Sequence, residues 1–354
     1  NRLFKKPFMK KKSLNVKKTS HNLLLKNLKN KKIKKIYKIF LQNLKNYKKT
    51  KKIACGISGG PDSLALAFLL KCYEIKESIK IYFFIVDHGL RPSSFDEAKF
   101  VKKKLSRFNI NCQILKWTGR KPSTNIQSKA REIRYSLIKK ECEIRNISIL
   151  FTAHHFDDLH ENFYLRIIRG SGLKGISSFS QLNSHYRGLD IFRPLINVNK
   201  DNLIYISKNV FNFYINDPSN KNNFFKRVKI REVLNGLKRE GLEEAKVRLT
   251  LNNLKEANSA LDYFSQKNLK KNTNFIKSKK AFILNEKFFK NPDEIIIRSL
   301  TEIFQKISKR YYPPRGKSIK NIIKICCSKN STKTTLGGCI LEKVENSVII
   351  YKET

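Results

Sequence analysis

The sequence predicts an α/β fold, in which a doubly wound parallel sheet is followed by a helical extension and a small C-terminal α+β domain. From Ile53, short runs rich in β-branched and aromatic residues alternate with longer runs of helical periodicity, which is typical of strands joined by crossover helices. Beyond about residue 220 the pattern becomes mainly helical, and short strand-like runs return near the C-terminus. With 354 residues, the chain is long enough for two or three domains.

The strands and helices of the predicted sheet alternate along the chain. We expect strands at Ile53–Ile57, Ile79–Val86, Asn111–Trp117 and Ser148–Thr152. We expect helices near Asp62–Tyr73, Ser94–Arg107, Asn125–Arg145 and Asp157–Arg169. Later helical patterns cover Val228–Leu237 and Glu243–Leu269, and later strand-like runs cover Lys333–Leu336, Cys339–Glu342 and Ser347–Tyr351.

The N-terminal segment is strongly basic. Residues 1–52 contain 20 Lys and Arg residues and no acidic residue. Residues 1–20 lack apolar periodicity, so we expect a disordered basic arm there. Apolar side chains then recur at helical spacing between Leu25 and Tyr47, which predicts an amphipathic helix before the first strand.

The charge of the whole chain favours a polyanionic partner. Lys and Arg total 75 against 28 Asp and Glu, a formal net charge of +47. Basic side chains that neutralise phosphates release condensed counterions, so nucleic acid is the leading candidate. Part of the excess also fits a composition rich in Lys, Asn and Ile, as arises when nucleotide composition biases a whole proteome.

The cysteines and the apolar runs exclude two further classes. The seven cysteines form no C-x-x-C pair, so the sequence suggests neither a disulfide framework nor a zinc or iron–sulfur site. No apolar run approaches the roughly 18 residues of a membrane span. We therefore expect a cytoplasmic protein without a membrane partner.

The segment Ser58–Ser63 lies between the first predicted strand and a very apolar predicted helix. Two glycines allow the backbone to approach an anion, Pro61 suits a first helical position, and the helix N-terminus offers N–H groups to phosphate oxygens. Asp62 is placed to help hold Mg²⁺ against the phosphates. The expected nucleotide ligands are Ser58, Gly59, Gly60, Pro61, Asp62 and Ser63.

Three other motifs compete with this interpretation. Residues 56–60 also match G-x-S-x-G, but a hydrolase with that motif needs a late histidine, and the last histidine is His185. Residues 170–175 match G-x-G-x-x-G but follow a predicted helix instead of a strand. No G-K-[ST] of a Walker A loop lies near residue 60. The phosphate-binding interpretation of Ser58–Ser63 is therefore favoured.

Charged residues follow each of the other predicted strands. Because ligands of a doubly wound sheet bind outside the carboxyl ends of its strands, such residues are candidates for the same cleft. They are Asp87 and Arg91 after the second strand, Arg131 and Arg134 after the third, and His154 and Asp158 after the fourth. If His154 and Asp158 are both helical, their spacing of four places them on one face.

Taken together, the motifs resemble those of the tRNA(Ile)-lysidine synthetases, within the PP-loop ATP pyrophosphatase superfamily. The matching segments are SGGPDS at 58–63, VDHGLR at 86–91, AREIRY at 130–135, TAHHFDD at 152–158, RGSGLKG at 169–175 and LGGC at 336–339. The resemblance covers about residues 50–350. This sequence departs from the family pattern at Leu159, where Gln is usual, and at Val228, where Asn is usual.

The resemblance implies an adenine nucleotide alpha hydrolase-like fold and a two-step reaction. ATP adenylates the C2 oxygen of the first anticodon cytidine in a tRNA(Ile) with a CAU anticodon, and pyrophosphate is released. The ε-amine of free L-lysine then displaces AMP to give lysidine. A base in a single-stranded loop can enter a cleft without breaking a duplex. ATP and Mg²⁺ are the implied co-substrate and cofactor.

The resemblance also implies roles for the candidate residues. The catalytic candidates are Asp62, Arg131, Arg134, His154 and Asp158. Asp87 joins the loop residues as a nucleotide ligand, and Asp62 and Asp158 are the expected magnesium ligands. The expected tRNA contacts are Arg91, Arg169, Arg193, Arg227 and Arg231.

The expected domain organisation has four segments. They are the basic arm at 1–20, an ATP-binding domain with its leading helix at 21–220, a helical tRNA-contacting region at 221–289 and a small tRNA-binding domain at 290–354. A PP-loop tRNA thiolase and a non-catalytic RNA-binding protein stay open as alternatives. The sequence decides neither the lysine-binding residues nor the choice between a monomer and a homodimer.

Overall fold

The computed structural model describes residues 22–45, 47, 50–119, 126–177, 183–186, 188–216, 226–310, 313–328 and 332–353. The chain divides into two compact units, residues 1–243 and 244–354. The basic arm expected at 1–20 lies outside the described residues. In the described part of the chain, no helix is both long and apolar enough to cross a membrane.

The first unit contains a six-stranded sheet with the strand order β3-β2-β1-β4-β6-β5. The strands are β1 (Lys52–Ile57), β2 (Lys80–Asp87), β3 (Cys112–Lys116), β4 (Ile149–Phe151), β5 (Asn183–Tyr186) and β6 (Leu189–Phe192). All neighbouring pairs are parallel except the β5–β6 hairpin. The chain therefore runs from β1 outward to β3 and then returns to β4 on the other side of β1. The gap between the carboxyl ends of β1 and β4 is the switch point at which such sheets bind ligands.

Helices of the first unit connect and flank this sheet. They are α1 (Lys31–Leu44), α2 (Pro61–Lys76), α3 (Ser94–Ser106), α4 (Ile126–Ile144), α5 (Phe156–Ile168), α6 (Leu173–Ser177), α7 (Lys200–Phe211) and α8 (Lys226–Arg239). Nearly all of α2 is buried, because it packs against both the sheet and α7. This double burial explains why its sequence is apolar on all sides. The amphipathic α1 is capped by Asn30, whose side chain accepts from the N–H groups of Lys32 and Ile33.

The structure confirms the doubly wound α/β class and the four predicted strands, with shifts of at most one residue at their ends. It adds the β5–β6 hairpin, α6 and α7, which the sequence patterns did not predict. The strands of the hairpin are four residues long and pair with each other in antiparallel register. Pairing of β6 with β4, a non-local contact, makes them part of the sheet.

The second unit has its own antiparallel sheet, in the order β7-β8-β11-β10-β9. Its elements are α9 (Glu244–Asn272), β7 (Thr273–Ile276), β8 (Ala281–Leu284), α10 (Asp293–Ser308), α11 (Gly316–Cys327), β9 (Lys333–Leu336), β10 (Cys339–Val344) and β11 (Ser347–Lys352). A separate apolar core joins the two helices after β8 to the sheet.

The boundary of this unit differs from the expected one at 289/290. The hairpin β7–β8 lies in the segment expected to be helical, and β8 pairs with β11 through Leu284 and Val348. Leu269 of α9 also belongs to the apolar core of the second unit. The C-terminal unit therefore begins with α9, and α8 stays with the first unit.

Candidate nucleotide-binding and catalytic site

A tight loop connects the end of β1 at Ile57 to the start of α2 at Pro61. Gly59 has a φ of +81°, and a Cβ atom there would lie 2.8 Å from Val101 Cγ2 of α3. The carbonyl oxygen of Gly59 accepts a hydrogen bond of 2.9 Å from the N–H of Ile215. Only glycine fits this position without strain or displacement.

Two serines stabilise the loop from within. The backbone N–H and the hydroxyl of Ser58 both donate to Ser63 Oγ at 3.1 Å, and Ser63 Oγ donates to the carbonyl oxygen of Gly60 at 3.0 Å. Ser63 is buried. Its hydroxyl therefore holds the shape of the loop, whereas the sequence suggested a phosphate donor.

The N-terminus of α2 has the features of an anion site. Gly60 is the N-cap residue and has no side chain to occupy the first-turn amides, and Pro61 follows it. The amides of Asp62 and Ser63 lie in the first turn, where no intrahelical carbonyl reaches them. These groups and the helix dipole favour phosphate oxygens.

His155 lies across the cleft from this loop and contacts three carboxylates. Its Nε2 atom is 3.5 Å from Asp62 Oδ2 and 3.5 Å from Asp158 Oδ2, and its Nδ1 atom is 3.4 Å from Asp157 Oδ2. The backbone N–H of His155 also donates to Asp158 Oδ2 at 3.1 Å, as the N-cap of α5. His155 thus links the phosphate loop after β1 to the segment after β4.

Burial and the carboxylates act in opposite directions on the pKa of His155. Burial lowers it, but the adjacent carboxylates of Asp157 and Asp62 outweigh burial and raise it to about 10. Burial likewise tends to raise the pKa of Asp157, but His155 and the N–H of Lys200 hold it well below its usual range. Near neutral pH, His155 is therefore an imidazolium ion between carboxylates.

Asp62 has one oxygen that the protein leaves without a hydrogen bond. Oδ1 is buried and has no partner among the described residues, whereas Oδ2 faces His155. Asp158 lies on the other side of the same imidazole nitrogen. Among the described residues there is no group of three or more ligating side chains that would cage a metal. Two carboxylates suit Mg²⁺, which usually takes few protein ligands and completes its shell with water and phosphate oxygens.

Arg231 of α8 enters the same acidic cluster. Its Nε and Nη2 atoms donate to the two carboxylate oxygens of Glu161, at 2.5 and 3.3 Å. Burial lowers the pKa of Arg231, but Glu161, Asp158 and Asp62 raise it above its ordinary value. The sequence suggested a tRNA phosphate contact, whereas the structure places Arg231 as a neighbour of the catalytic candidates.

A second group forms around His154. Arg131 Nη1 lies 3.3 Å from His154 Nε2, and Thr152 Oγ1 lies 2.9 Å from Nδ1. Because a guanidinium only donates, Nε2 is the acceptor and the neutral ring carries its proton on Nδ1. The Arg131 guanidinium also stands over the Tyr135 ring, 4.9 Å from its centroid. These contacts hold Arg131 at the carboxyl end of β4.

The helical spacing expected of His154 and Asp158 does not apply. Helix α5 begins at Phe156, so His154 precedes it in extended backbone. His154 therefore contacts Arg131, and Asp158 contacts His155 instead.

The residues after β2 form a compact turn. Asp87 is buried, and its Oδ1 accepts from the N–H of Gly89 at 2.9 Å and from Ser94 Oγ at 2.7 Å. His88 has both ring nitrogens buried without a hydrogen-bond partner among the described residues. Burial, followed by the positive charge of Arg134, lowers the pKa of His88 to about 4, so its ring is neutral at pH 7.

The other four arginines that we expected to contact tRNA differ from one another in their surroundings. Arg91 forms an ion pair of 3.1 Å with Glu97 on α3. Arg193 is buried, so it does not present a charge to the outer surface. Arg169 is exposed just after α5. The side chain of Arg227 lies outside the described residues.

His155, Glu161 and His88 are site residues that the sequence analysis did not select. Glu161 is buried at the ion pair with Arg231. His155 is the N-cap residue of α5, and Asp158 stands three residues later, as in a capping box. This spacing is a local signal for the start of the helix, and therefore for a residue at the carboxyl end of β4. His88 lies in the motif VDHGLR and Glu161 follows the motif TAHHFDD, but their partners come from distant parts of the chain, so the sequence did not assign their roles.

Comparison with known proteins identifies related sequences and folds. A family model described as a PP-loop domain matches residues 28–237. The tRNA(Ile)-lysidine synthase of Wolbachia sp. subsp. Brugia malayi (strain TRS) is 32% identical over 310 residues, covering 86% of this chain and 71% of that protein. The enzyme of the same name from Rickettsia felis is 32% identical over 308 residues, covering 85% and 70%.

A solved structure shares the fold at lower identity. The U34-tRNA thiolase NcsA from Methanococcus maripaludis, determined with its 4Fe–4S cluster, superposes with a TM-score of 0.53 and 18% identity. The match covers 65% of this chain and 78% of that chain. At this identity the likeness concerns the fold alone.

Proposed function

Because the chain belongs to the tRNA(Ile)-lysidine synthase family, we propose that it joins L-lysine to C2 of the first anticodon cytidine of a CAU-bearing tRNA(Ile), at the expense of ATP. The observation that carries the proposal is the placement of the phosphate loop at the β1–β4 switch point, facing the carboxylates around His155. A tRNA substrate agrees with the net charge of +47 and with the cytoplasmic location expected from the sequence.

In the first step, the C2 oxygen of the cytidine attacks the α-phosphorus of ATP, and the bond to the β-phosphate breaks with loss of pyrophosphate. The N-terminus of α2 and the glycines of the loop hold the pyrophosphate portion. Asp62 and Asp158 would hold magnesium, which supplies positive charge against the phosphate oxygens. Arg131, oriented by His154 and Tyr135, is placed to stabilise charge that develops on the α-phosphate.

In the second step, the ε-amine of lysine attacks C2, the C2–oxygen bond breaks, and AMP leaves. Four carboxylates face His155 and Arg231 in the cluster, an excess of negative charge that favours the Mg²⁺ ion proposed for the first step. The four carboxylates are Asp62, Asp157, Asp158 and Glu161. His155 lies 3.5 Å from both Asp62 and Asp158, so we assign it the role of positioning these carboxylates.

Incorporation of radiolabelled lysine into unmodified tRNA(Ile) tests this proposal. Labelling should require ATP and should vanish with a tRNA whose target cytidine is changed to uridine. Asp62→Asn should lower the rate by roughly 100-fold, because it removes a charge from the phosphate site. Glu77→Gln, an exposed acid at the opposite end of α2 from the phosphate loop, also removes one charge; it is the control and should keep normal activity.

The two alternatives predict other results. A thiolase would incorporate sulfur instead of lysine, but six of the seven cysteines are buried and only Cys327 is exposed. A non-catalytic RNA-binding protein would bind tRNA without consuming ATP. Pyrophosphate release stimulated by tRNA without lysine labelling would redirect the assignment to another base modification.

A further inference from the structure

A concave surface on the outer side of the first unit has no role in the chemistry above. It lies between α3 and β3, and we call it the lysine groove. It has a volume of about 570 Å³, within the range of ligand sites. Its lining residues are Phe95, Lys99, Lys102, Lys103, Ser106, Ile114 and Lys116.

The groove is basic and has no acidic lining residue. All four of its lysines are exposed. Lys99 pairs with the exposed Asp96 at 3.5 Å, a contact that contributes little in water. Within the described ranges, Lys102 and Lys103 have no ion-pair partner. Four ammonium groups in one concavity therefore attract an anion with several charges.

An aromatic ring stands among these lysines. Phe95 is 36% exposed, so part of its ring is accessible to a ligand. Lys99 Nζ and Lys116 Nζ lie 4.2 and 5.3 Å from the centroid of its ring. An exposed ring combined with a row of basic side chains is the way in which proteins hold single-stranded nucleic acid, with a base stacked on the ring and phosphates on the cations.

The groove begins at the carboxyl ends of β2 and β3, the same end of the sheet at which the phosphate loop follows β1. Phe95 follows Ser94, whose hydroxyl binds Asp87 at the carboxyl end of β2, and Lys116 is the last residue of β3. From Phe95 to Ser106 the groove runs along α3 for roughly 16 Å at 1.5 Å per residue. Val101 on α3 contacts Gly59 of the phosphate loop, so about one helix diameter of roughly 10 Å separates groove and loop.

We propose that the lysine groove binds the single-stranded RNA next to the target base, with one base stacked on Phe95 and backbone phosphates on Lys99, Lys102, Lys103 and Lys116. This assignment rests on the proposed function insofar as the RNA is the tRNA substrate. The groove would then keep the anticodon loop open beside the cleft that receives the cytidine.

Binding of a fluorescent anticodon stem-loop RNA, measured over a range of salt concentrations, tests the groove without any catalytic step. Lys102→Gln combined with Lys103→Gln should weaken binding about 3- to 30-fold at low salt. It should also reduce the magnitude of the slope of log K against log salt concentration by about 1.4, since each of the two lost phosphate contacts contributes about 0.7. Lys34→Gln with Lys35→Gln, two adjacent exposed lysines of α1, is the charge-matched control.

Substitution of Phe95 tests the stacking part. Phe95→Ala should weaken binding about 5- to 100-fold, and Phe95→Tyr, which keeps the ring, should bind normally. In lysine incorporation, the groove variants should raise KM for tRNA and leave kcat within about twofold. Lys102 and Lys103 are exposed, so thermal unfolding of the lysine variant should match the wild type, and Phe95→Tyr controls for any loss of packing in Phe95→Ala.

The outcomes separate the groove from the proposed function. Weaker stem-loop binding in the groove variants supports RNA binding by the groove, even if the wild type incorporates no lysine. If lysine incorporation is normal and the groove variants bind the stem-loop RNA as well as the α1 control does, the groove is not an RNA site. The proposed function would then stay intact. A loss of full-length tRNA binding without any loss for the stem-loop would also contradict it, because the RNA segment would be a different one.

Discussion

At the scale of single residues, His155 joins two segments that are distant in sequence. Its contacts with Asp62, Asp157 and Asp158 should stabilise the fold in a pH-dependent way. Since the folded-state pKa of His155 is raised from 6.5 to about 10, this stabilisation is complete below pH 6.5 and is lost as the pH rises towards 10. Asp157 has a lowered pKa, so its contribution is present above its ordinary value of 3.8 and is lost in acid.

We therefore expect His155→Gln to cost roughly 1–3 kcal/mol of unfolding free energy near pH 6. The difference from the wild type should shrink as the pH rises to 10. Urea unfolding of both proteins at several pH values, in chelator to remove metal ions, measures it. A difference that stays constant from pH 6 to pH 10 would mean that the imidazolium charge does not hold these carboxylates.

At the scale of elements, α8 is attached to α5 by a polar and an apolar contact. Arg231 binds Glu161, and Ile230 and Leu234 pack with Leu165. Glu161 is almost fully buried and Arg231 is partly exposed, so loss of the cation leaves a carboxylate without its counter-charge.

Arg231→Met should therefore destabilise the protein by roughly 2 kcal/mol, a value discounted for the partial exposure of the arginine. Adding Glu161→Leu should recover part of this loss, because the buried charge is then removed as well. A double-mutant cycle in urea unfolding measures the coupling. Strictly additive losses would show that the two side chains act independently. Lysine incorporation should fall in both variants.

At the scale of the whole molecule, the second unit has a core of its own and is larger than its sequence pattern predicts. Its sheet needs β8 beside β11, and its core includes Leu269 and Leu284. We expect a fragment of residues 244–354 to unfold cooperatively on its own. A fragment of residues 290–354, which lacks α9 and the β7–β8 hairpin, should not.

Circular dichroism during heating distinguishes the two fragments. A cooperative transition in the shorter fragment would restore the boundary expected from the sequence at 289/290. An unfolded longer fragment would mean that the second unit depends on the first for its stability.

The sequence by itself determined the α/β class and the phosphate loop. It also determined that candidate site residues follow the carboxyl ends of the strands. These features depend on local signals, such as alternating apolar runs around Ile53–Ile57 and the glycines and proline of Ser58–Ser63. Long, periodic or motif-bearing segments carry such signals within a few residues. The roles of Asp62, Arg131, Arg134, His154 and Asp158 stay predictions that the proposed experiments address.

Only the tertiary structure decided which candidates meet. It placed His155 between Asp62 and Asp158, joined His154 to Arg131, and brought Arg231 to Glu161. These contacts join residues up to 93 positions apart, since the first links position 62 to position 155. They depend on strand order and helix packing, because β1 and β4 become neighbours only once the sheet has formed. The strands β5 to β8 were not predicted from the sequence, and their places in the two sheets follow from the pairing of β6 with β4 and of β8 with β11.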